Sequence, residues 1–405
     1  MGGRGLPATL RGLPRPVWLL SAGTFVNRFG SFVLVFLVLY VKHLGYSTAA
    51  SGLDASAYGV GTIVSALLGG WVADRLGRRG ALALSMFSSA AAMLALSQAR
   101  SLATIFAFSI VAGLTTELYR PASAALLADL VGPEQRVAAF GIWRFAINLG
   151  YAAGPIVGGL LAQRSFLLLF LGDAATSLAF GALALVALPK GVRVAAHLET
   201  RGEAVRAIAR DRGFRLFLIA SALGSFVYFQ AQTTFALQTV AYGHSSVVYG
   251  TLLAVNGLAI VLLELPLISV TQRVPRVPVL ATGLLLEGIG FGLIPLSGAT
   301  VWLTVTVVVW TVGEMVFSPV AGAYVADLSP AHIRGRYSGA WGFSWGIGLV
   351  LAPSLGALLY SVGHTLVWLV CLGCGIVAAA LVLASPKPSS SRAAAAGAGD
   401  QRPLV

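Results

Sequence analysis

Twelve apolar stretches, separated by short charged turns, occupy most of this 405-residue chain. Each runs for roughly 18 to 25 residues, enough for a helix to cross the ~30 Å of hydrocarbon in a bilayer. The expected spans are 17-41, 52-73, 81-98, 101-128, 138-162, 166-188, 215-240, 247-270, 277-297, 300-326, 336-360 and 363-384. Continuous runs such as Ile105 to Gly113 and Leu366 to Ala384 lack the alternation of barrel strands. The fold class is therefore all-α integral membrane. With 57% hydrophobic and only 10% charged residues, the chain is too apolar for an ordinary soluble domain.

The basic residues set an orientation. One set of alternate turns holds Arg75, Arg78 and Arg79, then Arg136, Lys190 to Arg215, Arg273 and Arg276, and Arg334 and Arg336, whereas the other holds only Lys42, Arg100 and Arg164. The positive-inside rule then puts both termini and the long central turn in the cytoplasm. The net charge of +13 is explained by basic turns facing an anionic leaflet, so the expected partner is the lipid bilayer and not nucleic acid. The apolar run from Val17 is too long for a cleaved leader and reads as a retained first helix. Cys371 and Cys374 lie within the last span, with no further cysteine to complete a metal site.

A repeat divides the chain. Pro121, Asp129, Arg136, Gly141, Trp143, Pro155 and Gly158 recur 198 positions later as Pro319, Asp327, Arg334, Gly339, Trp341, Pro353 and Gly356. Paired membrane halves of this kind enclose a central site in many transporters. The expected domains are a cytoplasmic segment 1-16, a six-helix bundle 17-188, a linker 189-214, a second bundle 215-384 and a disordered tail 385-405. In the linker, Glu203, Arg206, Ile208, Arg210 and Arg212 suggest a short amphipathic helix.

Two motifs carry a resemblance. The turn Gly70-Trp71-Val72-Ala73-Asp74-Arg75-Leu76-Gly77-Arg78-Arg79 combines Gly70, for close helix approach, and Gly77, for a tight turn, with helix-end charges. The fifth span carries Gly150, Gly154, Pro155, Gly158 and Gly159, which strip bulk from one helix face and weaken the backbone ladder. The first pattern closely resembles the signature turn of the major facilitator superfamily, and the second is similar to that family's antiporter motif. The resemblance implies two six-helix bundles rocking about a midplane cavity lined by helices one, four, seven and ten. It implies gating roles for Gly70, Asp74, Arg75, Gly77, Arg78, Asp129, Arg136, Gly154, Pro155 and Gly158, with Asp74 and Arg75 latching the halves. In the second copy Gln272 stands opposite Asp74, so the latch acid exists only once.

Charge inside the membrane is costly, so it points to a pathway. The basic candidates are Arg28, Arg120 and Arg144; the acidic ones are Glu117, Asp173, Glu264, Glu287 and Glu314. Glu117 and Arg120 stand three apart on one helical face and can pair, either as a proton-coupling device or as a static tie. Arg28 and Arg144 can share Glu117, which gives the first half a basic cavity floor suited to an anionic or zwitterionic ligand, or to a carboxylate donated by Glu264 or Glu314 across the cavity. Glu314 reads as a lone carboxylate in a cavity helix. The expected proton-coupling residues are thus Glu117, Arg120, Glu314 and Arg144. Substrate contacts are expected from Asn27, Arg28, Tyr119, Trp143, Asn148, Tyr228, Gln232, Glu264 and Trp341. Asp173 and Glu287 fall on peripheral helices, where local hydrogen bonding or a capping role is expected.

The resemblance makes this a monomeric secondary transporter of the bacterial inner membrane that exchanges protons for small amphipathic molecules or drugs, working by alternating access. It implies no cofactor or metal. A proton-coupled importer of a peptide, sugar or organic anion is the second reading, and a lipid or lipid-precursor flippase the third. An enzyme is not expected, because no nucleophile or paired-histidine constellation occurs.

Overall fold

The structure is a computed structural model in which residues 12–190, 201–330 and 333–385 are described. The expected tail falls outside these apart from Ser385, as does most of the segment 1-16. Twelve helices among the described residues are long and apolar enough to cross a membrane. They are Arg15–His43, Thr48–Leu76, Arg78–Gln98, Leu102–Leu130, Ala138–Arg164, Phe166–Ala187, Arg212–Gln232, Ser246–Glu264, Arg276–Leu296, Thr300–Leu328, Arg334–Val362 and Leu366–Leu383. A short helix, Arg201–Arg210, occupies the described part of the linker.

Among the described residues, spans one, four and seven are interrupted within their length, which the apolar pattern did not foretell, and the ninth ends in a separate turn, Ile294–Leu296. The first consists of helices Arg15–Phe29 and Phe32–His43, parted at Gly30 and Ser31. The seventh consists of Arg212–Tyr228, a tight turn Phe229–Gln232, and Thr234–Ala241. With the 198-residue offset these two breaks adjoin, Ser31 answering to Phe229, and paired interruptions in corresponding regions of two halves are a structural pointer to a transport site. The fourth span parts at Leu118 into Leu102–Glu117 and Tyr119–Leu130. Pro121 explains it, because a proline has no N–H to donate to the carbonyl four residues earlier, here that of Glu117. Its counterpart Pro319 sits inside the unbroken helix Thr300–Leu328.

The chain clusters into two compact units that do not follow the repeat. One joins the first repeat to Gln230–Val261 and Pro353–Val362; the other comprises Leu262–Ala352 with the chain from Leu198 to Phe229 and from Gly363 onward. Glycines make the first unit cohere. A Cβ added at Gly250 would come 2.1 Å from the Pro155 carbonyl oxygen, and one at Gly159 would come 2.6 Å from that of Ser246, so these backbones lie in direct contact. Ser56 Oγ accepts from the Ser354 N–H at 3.1 Å, and Tyr249 donates to the Val35 carbonyl at 3.3 Å.

The second unit is built around Phe214, Phe217, Phe317, Tyr324 and Tyr337, all buried. Its ninth span is pressed between the tenth and twelfth by further glycines. Gly290 lies against the Trp310 backbone, and Gly288 meets Gly375. Phe291 stacks on Trp310 at 4.2 Å between ring centroids. Cys371 is buried here and Cys374 is partly exposed; neither forms a disulfide.

Candidate functional site

Arg28 and Glu117 meet at the interruptions in spans one and four. Arg28 lies in the last turn of Arg15–Phe29, where a cation is favoured by the exposed carbonyls of the helix end. Its Nη1 donates to Glu117 Oε1 at 2.8 Å and its Nη2 to Oε2 at 3.1 Å, a bidentate fork of the strongest kind. Nη1 also donates to the Tyr151 hydroxyl at 2.9 Å. The guanidinium lies 5.4 Å from the Tyr119 ring centre and 5.5 Å from that of Tyr151, within range of cation–π attraction.

Arg120 completes the group, with Nη1 3.2 Å from Glu117 Oε2. Exposure rises steeply across the three: 1% for the Arg28 side chain, 11% for Glu117 and 55% for Arg120. One carboxylate thus carries two guanidinium groups, one sealed in protein and one open. A proton on Glu117, or an anionic group presented to Arg120, would each weaken the carboxylate's hold on its partners.

The local sequence explains this geometry. A Cβ at Gly150 would fall 2.7 Å from the Arg28 Cβ and 2.8 Å from the Phe29 nitrogen, so only glycine lets span five approach closely enough for Tyr151 to reach Arg28. Gly154 lies against the Phe29 carbonyl and Gly158 against the Phe36 ring. The repeat preserves part of this arrangement in the second unit, where Gly348 lies against Ser225. It also preserves a tether: Trp143 donates from Nε1 to Thr24 Oγ1 at 3.0 Å, and Trp341 to Ser221 Oγ at 2.9 Å.

Several expected site residues are engaged in packing. Tyr119 is fully buried beneath Arg28 and meets Phe180 edge to face at 5.8 Å. Asn27 is also buried, and donates to Ser177 Oγ at 3.3 Å. Arg144 is exposed on span five and Asn148 half-buried; Gln232 is half-buried in the seventh-span turn and Glu264 near the end of the eighth span. Tyr228 packs 5.4 Å from Trp345.

Glu314 is not the lone carboxylate that its position suggested. Glu287, on span nine, lies close enough for the two charges to interact. Glycines make room for it, since a Cβ at Gly313 would fall 3.0 Å from Glu287 Cγ and one at Gly224 3.8 Å from its Oε2. Glu287 Oε1 has no hydrogen-bond partner. Sequence reasoning also passed over Asp54, which is fully buried, and Tyr151. The visible signal for Tyr151 was its place directly after Gly150.

In the signature turn, Gly77 adopts φ 76° and is the single residue between two helices. Asp74 Oδ1 is bound by Arg78 at 3.1 Å, and Arg78 Nε lies 3.7 Å from Asp129. Arg75 instead lies over Trp71, 4.5 Å from its ring centre. The second unit repeats the Arg78–Asp129 pair as Arg276 with Asp327. Arg136 is exposed at the start of its helix. The close helix approach expected of Gly70 is made by its neighbour: nothing lies within 4 Å of where the Gly70 Cβ would be, and it is Gly69 that contacts Pro121 and the Leu118 carbonyl. Among the described residues, no three His, Cys, Asp or Glu side chains gather as a metal site would require.

The family model described as Major Facilitator Superfamily matches residues 20–243 and 233–405. An uncharacterized MFS-type transporter of Bacillus subtilis is 26% identical over 350 residues, covering 84% of this chain and 85% of its own length. A Na(+), Li(+), K(+)/H(+) antiporter of Planococcus maritimus is 27% identical over 369 residues, 81% of this chain and 85% of the antiporter. Among solved structures, a peptide transporter POT in complex with sulfate superposes with a TM-score of 0.77 at 20% identity, covering 94% of this chain and 98% of its own.

Proposed function

Because the chain belongs to the Major Facilitator Superfamily and is a secondary transporter, not an enzyme, we propose that it couples proton entry to the export of a small amphipathic solute. The observation that carries this is Glu117 held between a buried and an exposed guanidinium. Protonation of Glu117 would leave Arg28 without its fork partner, a change large enough to bias two conformations by several kcal/mol. Arg120 is the group open to a ligand, and the excess of guanidinium over carboxylate suits a solute with an anionic or zwitterionic part.

Exchange is favoured over symport by the glycines of span five and by the relative named for cation/proton antiport. In this reading both termini face the cytoplasm of a bacterium, the chain works as a monomer in the inner membrane, and Glu287 and Glu314 provide acidic groups in the second half. Import of an organic anion is the second reading, supported by the same pair of arginines.

Everted vesicles acidified by respiration separate the two. Addition of an anionic amphipathic dye, or of sodium, lithium or potassium chloride, should release protons from the lumen in proportion to transporter content. Export by exchange is overturned if no such addition dissipates the gradient. Accumulation of the dye only in right-side-out vesicles with an acidic exterior would instead establish import.

A further inference from the structure

The break in the first span is stitched together by one face of the sixth. Ser177 accepts from Asn27 in the first helical piece. A Cβ at Gly30 would fall 1.9 Å from Thr176 Oγ1, so Thr176 lies directly on the break. Asp173 Oδ2 accepts from the Val33 N–H at 3.5 Å, at the start of the second piece. Three polar atoms around this break are buried without a hydrogen-bond partner: Asn27 Oδ1, Arg28 Nε and Asp173 Oδ1. Two are acceptors and one is a charged donor. Asp173 is 2% exposed, and Arg28 is near enough for its charge to act on it.

An unsatisfied carboxylate oxygen and an unsatisfied guanidinium nitrogen in one dry region are a costly combination that a single rearrangement would relieve. The other titratable groups facing them are Tyr58 on span two, Glu117 and Tyr119 on span four, and Tyr151 on span five; none adds a second cation beside Asp173. We propose that Asp173 is the alternative carboxylate of Arg28: when Glu117 becomes neutral, the guanidinium turns across the helix break from Glu117 to Asp173. Gly30 and Ser31 supply the backbone freedom for that turn. Asp173 is thus a positioning residue for the exchange, and the step carries the Arg28 guanidinium from span four towards span six. It rests on the reading of Glu117 as the proton acceptor.

The test is a double-mutant cycle on the purified full chain, with Glu117→Gln, Asp173→Asn and the two combined. Each single variant leaves Arg28 one carboxylate and should unfold within a few degrees of the parent. The double variant strands Arg28 and should lose roughly 5 °C or more beyond the sum of the singles. In an Arg28→Met background the two substitutions should become additive. Additivity in the presence of Arg28 overturns the proposal, because Asp173 would then only cap a helix. A structure of the Glu117→Gln protein gives the second readout: Arg28 is expected within hydrogen-bond distance of Asp173, and a guanidinium that stays beside position 117 overturns the swap. An additive cycle with proton exchange still lost in Glu117→Gln defeats this inference alone. A strongly coupled cycle with proton exchange intact in Glu117→Gln defeats the functional reading instead.

Discussion

One substitution made twice in the same helix should have opposite effects. Gly141 and Gly150 both lie in Arg136–Arg164. At Gly141 nothing lies within 4 Å of an added Cβ, so Gly141→Ala gains helix propensity, about 0.5–1 kcal/mol. At Gly150 the new methyl would sit 2.7 Å from the Arg28 Cβ and 2.8 Å from the Phe29 nitrogen. Ordinary carbon contacts need about 3.5–4.0 Å, so the helices must part by roughly 0.7–1 Å. That movement stretches the 2.9 Å bond between Arg28 and Tyr151 beyond hydrogen-bond range. Overpacking of this kind costs about 1–3 kcal/mol, and the weakened charged hydrogen bond adds to it, against about 1 kcal/mol of propensity gained. The net loss is about 2 kcal/mol, which at about 1.2 °C per kcal/mol for a chain of this length places the two variants roughly 3 °C apart in apparent Tm. Tryptophan fluorescence during heating in detergent measures this directly. The two sites lie about 13 Å apart along the helix, so the double variant should fall near the sum. Equal shifts of the same sign would refute the claim that Gly150 is held against the first span.

Other outcomes follow from the same geometry. Gly77→Ala, at φ 76°, should lose about 1–2 kcal/mol as measured by thermal unfolding, whereas Gly70→Ala should be neutral or slightly stabilising. Exchanging the charges of the second-unit pair, as Arg276→Asp with Asp327→Arg, should recover most of the stability lost in either single variant; because both side chains are half-exposed, each loss should be within about 1 kcal/mol. A lipid-soluble maleimide should label Cys374 in the folded protein and Cys371 only after denaturation, as read by mass spectrometry.

The membrane spans were legible because hydropathy over about twenty residues is a local property, and the twelve helices fall close to the apolar stretches. Glu117 and Arg120 were legible for a similar reason, since positions three apart on a helix share a face. The fork between Arg28 and Glu117 joins residues 89 apart, and chemistry alone offered Arg144 on equal terms. Tyr151 and Asp173 owe their positions to close approaches at Gly150 and Gly30, which depend on what the neighbouring helix presents. The helix breaks were hidden because a hydropathy window averages across Gly30 and Ser31. Pro121 and Pro319 show the limit plainly: identical in the repeat, one sits beside a break and the other in continuous helix. Gly70, which opens the signature turn, and Gly69 just before it differ likewise, because only Gly69 faces a neighbour.

The role given to Glu117 is tested most directly by proton release from the purified transporter in liposomes. A pulse of exported solute, identified from the vesicle screen, should move protons in the parent protein and in Glu314→Gln at a measurable rate. In Glu117→Gln it should move none, while solute counterflow, which needs no net proton movement, continues. Proton movement in Glu117→Gln equal to that of the parent would contradict the assignment of coupling to the Arg28, Glu117 and Arg120 cluster.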